Sequence, residues 1–342
     1  MTKVLLTGGS GFIAAHILDQ LLQKGHKVIT TVRSEEKAEK IRKAHPGDDL
    51  EVVIVPDIAK PDAFDEVVKS PGIEVVLHTA SPFHFNFDDP QTGLIDPALI
   101  GTTSILKAIA RSAPSVKRVV ITSSFAAIIH EDHLEDPNTV FSESSWNPVT
   151  IKDIHNSKAT AYRASKKLAE EAAWTFVQDP ANNVKFELAT INPPLVIGPV
   201  AHYLNSLDSI NTSNARVADC VTGKWKESGP APTGAALNWI DVRDCALAHI
   251  KAGIELPEAG GKRLFTTAGS FCNRGIYEVI RRNFPEYADK LPSPDKKGGE
   301  MPPDDKRYSY DASETDKILG IDWIPFEKCI IDTVKSLKEV GA

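Results

Sequence analysis

Short runs of β-branched and aliphatic residues alternate along this chain with longer runs whose apolar positions recur every three to four residues. The alternation holds from Lys3 to about Leu195. Short apolar runs bounded by turn residues read as strands and the longer 3.6-period runs as helices, so the segment reads as successive βα units wound into a parallel sheet. The spacing predicts strands over 4–7, 27–31, 52–55, 75–78, 118–122 and 186–191, with helices over 12–23, 37–43, 101–111 and 160–176. Most of the strands are almost continuously apolar, as expected where helices cover both faces of a sheet. Right-handed crossovers then gather the C-terminal ends of all strands on one edge, where ligands of open α/β sheets bind.

Beyond Pro193-Pro194 the alternation weakens, and Pro- and Gly-rich stretches at 228–234 and 292–303 read as loops. Between them, 238–242 and 262–267 read as strands able to rejoin the main sheet, and 326–340 as an amphipathic terminal helix. The predicted architecture is α/β: a doubly wound parallel sheet of the Rossmann type, with a smaller, mostly C-terminal α/β region for substrate. The expected division is a cofactor-binding domain over 1–193 and 236–268, interleaved with a substrate-binding region over 194–235 and 269–342.

Composition narrows the class without changing this picture. With 342 residues, 42% apolar and 25% charged, the chain has the balance of a globular enzyme. A net charge of −7 argues against nucleic acid as a partner, since nucleic-acid binders present a basic face. The first apolar stretch, Val4-Leu5-Leu6, is too short for a signal peptide or a membrane span, so no membrane partner and a cytoplasmic location are expected. Cys220, Cys245, Cys272 and Cys329 form no C-x-x-C pair, and no metal site is expected. The expected partner is a small molecule, bound by a monomer or homodimer.

Candidate chemistry falls at the strand ends. Thr7-Gly8-Gly9-Ser10-Gly11-Phe12-Ile13 follows the first strand and opens a helix, the context in which glycines let backbone approach a pyrophosphate at a helix N-terminus. The second strand ends Thr30-Thr31-Val32-Arg33-Ser34, with no acid to hold ribose hydroxyls. Arg33, with Lys37 one turn beyond, suits a 2′-phosphate instead, which favours NADPH over NADH. Asp57-Ile58 after the third strand is placed for adenine. Thr79-Ala80-Ser81 after the fourth offers small residues along which a cofactor can lie.

Tyr162 and Lys166 stand four residues apart, on one helix face. A phenol with a pKa near ~10 is a poor proton shuttle at neutral pH, and a neighbouring ammonium is expected to lower that value. Thr122-Ser123-Ser124 at the fifth strand end supplies hydroxyls for a substrate carbonyl oxygen as it becomes an alkoxide.

Taken with the stretches 75–83, 165–174, 191–199 and 239–244, these motifs resemble the fungal methylglyoxal/isovaleraldehyde reductases, relatives of dihydroflavonol reductases in the extended short-chain dehydrogenase/reductase family. The resemblance covers essentially the whole chain and implies NADPH-dependent reduction of ketones and aldehydes to alcohols. It assigns catalysis to Ser124, Tyr162 and Lys166, with Lys166 also holding the nicotinamide ribose. It further implies a nicotinamide wall at Pro193 and Val196, and a substrate cleft at Phe83, Phe85, Phe125 and Tyr203. Many relatives carry Asn where this chain has Ile100, which puts a proton relay through that position in doubt. Other extended-family activities, a hydroxysteroid dehydrogenase or sugar-nucleotide epimerase, are the competing enzyme readings. A non-catalytic cofactor sensor is the competing class, which the presence of both Tyr162 and Lys166 disfavours.

Overall fold

The computed structural model describes all residues except 82–86, 202, 204, 205, 208, 209 and 235. In chain order the elements are β1 (Lys3–Thr7), α1 (Phe12–Gln23), β2 (Lys27–Val32), α2 (Glu35–Ala44), β3 (Leu50–Ile54), β4 (Val75–His78), α3 (Asp96–Ser112), β5 (Arg118–Thr122), β6 (Val140–Ser142), α4 (Lys158–Gln178) and β7 (Glu187–Ile191). There follow β8 (Leu195–Ile197), α5 (Ala215–Val221), β9 (Asn238–Asp241), α6 (Val242–Ile250), β10 (Arg263–Leu264), β11 (Gly269–Ser270), α7 (Asn273–Asn283), β12 (Ser309–Asp311), α8 (Ser313–Leu319) and α9 (Phe326–Glu339).

The central sheet is parallel throughout, in the order β10-β7-β5-β4-β1-β2-β3. Order reverses beside β1, so a crevice opens at the C-terminal ends of β1 and β4, the switch point where open α/β sheets bind ligands. Alternate residues of each strand feed opposite layers. Val4 and Leu6 pack with α1, α2 and α6, whereas Leu5 packs with α3 and α4. The helical run Gln91–Ser112 is long and apolar enough to span a membrane by length and composition. Its Leu94, Ile95, Ile105, Leu106 and Ile109 are nevertheless buried inside the protein.

Local chemistry sets the helix ends. Ser34 caps α2, whose first turn carries Glu35 and Glu36 and whose last carries Arg42 and Lys43, the charge order that complements a helix dipole. Ser157 caps α4 by accepting the Thr160 N–H at 3.0 Å. Helix α3 starts at Asp96, earlier than the expected 101, because a turn over Gln91–Ile95 leads into it and Pro97 fits its first turn.

One strand departs from expectation. β10 joins the main sheet beside β7, but β9 does not; it lies between β8 and β11 in a separate three-stranded sheet. The reason is packing: Trp239 of β9 meets Phe326 of α9 edge to face at 5.0 Å, and this small sheet floors a second core built from α5, α7 and α9.

Candidate active site

The glycine turn is shaped by steric necessity. Gly8 has φ +76°, and a Cβ there would stand 3.0 Å from the Ala80 Cα; a Cβ on Gly9 would stand 2.1 Å from Thr30 Oγ1. Only a side-chain-free backbone fits between the ends of β2 and β4. The turn is tied down by Gly9 N–H to Thr31 O at 2.9 Å and Gly8 N–H to Thr31 Oγ1 at 3.1 Å. Thr7 accepts the Ala80 N–H on Oγ1 (3.1 Å), while Thr79 Oγ1 donates to Thr7 O (2.6 Å). Thr79-Ala80-Ser81 therefore forms the opposite lip of one cradle, and Val196 packs near Phe12 and Ile13 at its mouth.

Arg33 is exposed and makes no ion pair or hydrogen bond among the described residues, while the acids close to it are engaged elsewhere: Glu35 with Arg42 and Glu36 with Lys40. Lys37 stands on the same first turn of α2. Asp57 is exposed and accepts the Ala59 N–H at 2.9 Å, and Ile58 lies against Gly101 of α3.

Ser124, Tyr162 and Lys166 converge where β5 meets α4. Tyr162 and Ser124 line one cavity, near enough that the Ser124 hydroxyl draws the phenol pKa down, and Ser124 Oγ accepts the Ala126 N–H at 3.1 Å. Lys166 Nζ donates to Ser81 Oγ at 3.1 Å, linking α4 to the cradle. The expectation that the ammonium lowers the phenol pKa is not met. Burial raises the Tyr162 pKa and the Ser124 contact only partly offsets it, while burial lowers that of Lys166 to about 8 against the opposing pull of Glu170. The phenol is thus held protonated, the state of a proton donor.

A cavity of about 300 Å3 opens above these groups, lined among others by Ser124, Phe125, Tyr162, Leu195 and Arg216. Phe125 serves two purposes: it reaches this cavity and also stacks on Phe265 at 4.8 Å in an aromatic cluster, 2% exposed. Tyr203, expected in the cleft, lies elsewhere. Its hydroxyl bonds His45 at 3.1 Å and Asp19 at 3.4 Å, because the polar ends of α1 and α2 offer it partners that an apolar cleft does not. Phe83 and Phe85 lie outside the described residues. Pro193 contributes its carbonyl, which accepts the Phe125 N–H at 2.9 Å.

Glu170, one turn beyond Lys166, went unnoticed in the sequence as a site residue. Its carboxylate, 1% exposed, accepts from Ser123 Oγ (2.5 Å), Asn192 Nδ2 (2.7 Å), Thr190 Oγ1 (3.1 Å) and Trp174 Nε1 (3.3 Å), and pairs with Arg263 Nε at 2.7 Å. Ser123 and Asn192 immediately precede Ser124 and Pro193, so one buried carboxylate fixes both walls of the cleft. The available signal was a glutamate on the Tyr162–Lys166 face of a helix whose other positions on that face are small or apolar. A small cavity of about 20 Å3 lies beside Lys166; Ala80, Ala98, Ile121 and Ala169 share its lining with the polar His78, Thr102, Thr122, Ser123, Ser165 and Glu170. Polar groups thus reach Lys166 although Ile100 supplies none.

Two buried histidines carry a pH dependence. His249 Nδ1 faces the Cys245 carbonyl and Nε2 faces Thr122 Oγ1, both at 2.7 Å; burial brings its pKa down to about 4, and that of His78 to about 3. Because the folded values lie below the unfolded value near ~6.5, the stability contribution is complete above that pH and is lost as pH falls, at about 1.4 kcal/mol per unit for each histidine. Urea unfolding between pH 7 and pH 5 is expected to show this decline, with a shallower slope in His249→Gln. A flat profile over that range would refute it.

The model of the NAD dependent epimerase/dehydratase family matches residues 4–263. The chain is 44% identical to the ketoreductase azaE of Aspergillus niger, covering 98% of each chain. It is 37% identical to an NADPH-dependent methylglyoxal reductase of Saccharomyces cerevisiae, again over 98% of each. Among solved structures, Gre2 of Candida albicans in complex with NADPH matches with a TM-score of 0.89 at 33% identity, covering 100% of both chains.

Proposed function

The chain belongs to the NAD dependent epimerase/dehydratase family, and from that premise we propose that it reduces small ketones and aldehydes to alcohols with NADPH, using Ser124, Tyr162 and Lys166. The observation that carries the reading is the meeting of the Ser124–Tyr162 pair with a lysine bonded to the lip of the glycine cradle. The cradle fits a dinucleotide, since the space a Cβ would take at Gly8 and Gly9 is already filled by Ala80 and Thr30, leaving bare backbone at the helix N-terminus. Gly8, Ser10, Gly11, Phe12 and Ile13 would hold the pyrophosphate, Arg33 and Lys37 the 2′-phosphate, Asp57 and Ile58 the adenine, and Thr7, Thr79, Ala80 and Ser81 the opposite side. Pro193 and Val196 would wall the nicotinamide.

Bound NADPH supplies the hydride that adds to the carbonyl carbon. Ser124 orients the carbonyl oxygen through its hydroxyl, and Tyr162, kept protonated by burial, delivers the proton to that oxygen. Lys166 anchors the ribose side and stabilises the phenolate left behind. The division of labour we propose assigns cofactor binding to 1–193 and 236–268. It assigns substrate binding to 194–235 and 269–342, and the cleft residues Pro194, Leu195, Thr212, Ser213 and Arg216 lie in the first of these segments. A cytoplasmic monomer or homodimer is in keeping with the free thiols of Cys220, Cys245, Cys272 and Cys329.

The test is to follow NADPH absorbance with a panel of aldehydes, diketones, keto esters and aryl ketones; no oxidation with any of them would defeat the reading. A companion measurement addresses Arg33. Arg33→Asp removes a charge-assisted contact of ~1.5–3 kcal/mol, so the preference for NADPH over NADH should fall about 10- to 150-fold. Equal kcat/KM for both cofactors in the parent would refute the assignment.

A further inference from the structure

Among the described residues, the 300 Å3 cavity that holds Ser124 and Tyr162 is lined by two arginines, Arg163 and Arg216, and by no carboxylate. That is unexpected in a protein of net charge −7. The two guanidinium groups differ. Arg163 is neutralised by an ion pair with Glu131. Arg216, on the first turn of α5, has no acidic partner among the described residues, and burial alone displaces its pKa downward.

Arg216 is nonetheless held in place. Its Nη1 donates to the Thr233 carbonyl at 3.0 Å and to Asn273 Oδ1 at 3.1 Å, and its guanidinium lies 5.8 Å from the centre of the Phe271 ring. Asn273 is itself fixed, donating from Nδ2 to the carbonyls of Ala231 and Pro232. These contacts use one nitrogen of the fork. The N–H groups on Nε and Nη2 have no protein partner among the described residues, so a planar pair of donors remains on a side chain that lines the same cavity as Ser124 and Tyr162. A half-buried cation without a counter-ion is costly by itself and binds a carboxylate in two-point fashion at a gain.

We infer that Arg216 is the anion-recognising group of the substrate cleft, and that the preferred substrates are oxo acids, whose carboxylate it holds while Tyr162 and Ser124 receive the carbonyl oxygen. The inference rests on the carbonyl-reductase reading. The chemistry is unchanged by it: one hydride and one proton convert the oxo acid to the hydroxy acid, and the carboxylate is a spectator. The length of chain between carboxylate and carbonyl is set by the span of the cavity.

The experiment measures kcat/KM with NADPH for a series of 2-oxo to 6-oxo carboxylic acids and for their methyl esters, in the parent, Arg216→Gln and Arg216→Lys. The expected result is a preference for one acid over its ester in the parent. That ratio should fall about 10- to 150-fold in Arg216→Gln, the worth of a charge-assisted hydrogen bond, and less in Arg216→Lys, which keeps charge but loses the fork. Calorimetric titration of the matching saturated carboxylate into the NADP⁺-bound parent should show binding that Arg216→Gln weakens by a similar factor, a readout independent of turnover. Esters reduced as well as acids by the parent, or an equal loss for both in Arg216→Gln, would overturn the inference while leaving the reductase reading intact. A weakened NADPH affinity in Arg216→Gln without a changed acid-to-ester ratio would also overturn it, assigning Arg216 to the nicotinamide amide. No reduction of any member by an enzyme that still reduces the aldehyde and ketone panel would overturn this inference alone, and no reduction of either set would overturn both readings.

Discussion

Tyr162→Phe is expected to lower turnover by at least 100-fold while leaving NADPH affinity within a few-fold of the parent. The ring and its packing stay, and only the hydroxyl that shares the cleft with Ser124 is lost. General acid catalysis is worth about 10²–10⁴-fold, and among the described lining residues no other acidic hydroxyl is paired with Ser124 to replace it. Lys166→Ala should behave differently. It removes both the group bonded to Ser81 on the cradle and the charge that stabilises the phenolate, so affinity and turnover fall together. Fluorescence titration with NADPH beside steady-state turnover separates the two patterns. A Phe variant within a few-fold of parental turnover would remove Tyr162 from the role of acid.

The second large effect concerns stability rather than rate. Arg263→Met leaves the Glu170 carboxylate, fully buried and already bonded by four neutral donors, without the cation ion-paired to it among the described residues. Breaking a buried ion pair from one side costs about 3–5 kcal/mol. The same substitution strips the stacked guanidinium from Trp146, 3.8 Å from its ring, and frees the carbonyls of Glu143 and Ser145. Combining it with Glu170→Gln removes the stranded charge and should recover part of the loss. Denaturant midpoints of the four proteins in this cycle measure the coupling; strictly additive losses would show that the two side chains act independently.

Where chemistry is local, the sequence reveals it: the bare-backbone turn at Gly8-Gly9, the four-residue spacing of Tyr162 and Lys166, and the hydroxyls ending β5 each announce themselves within a few residues. The positions of the main-sheet strands were equally accessible as far as β7, because short apolar runs bounded by turn residues leave few alternatives, whereas their order in the sheet comes from the structure. What escaped depends on distant partners. Nothing near 238–241 says that β9 pairs with β8 rather than with the main sheet, and nothing near Tyr203 says that its hydroxyl turns to His45. The downward expectation for the Tyr162 pKa failed for a related reason. Spacing on a helix reveals proximity to Lys166, but the desolvation that dominates comes from everything packed around the pair.

The Glu170–Arg263 pair spans 93 residues of chain, and its arginine sits on a strand of only two residues at the edge of the sheet. During synthesis the helix bearing Tyr162 and Lys166 leaves the ribosome well before the residue that neutralises its buried acid. At ~5–20 residues per second the gap lasts about 5–20 seconds. For that interval β7 is an open edge beside an unmatched charge, and the nascent chain is a ready client for chaperones. Release of a fragment ending before Arg263 would leave that edge permanently open, so a prematurely terminated product is destined for aggregation or proteolysis and not for partial activity.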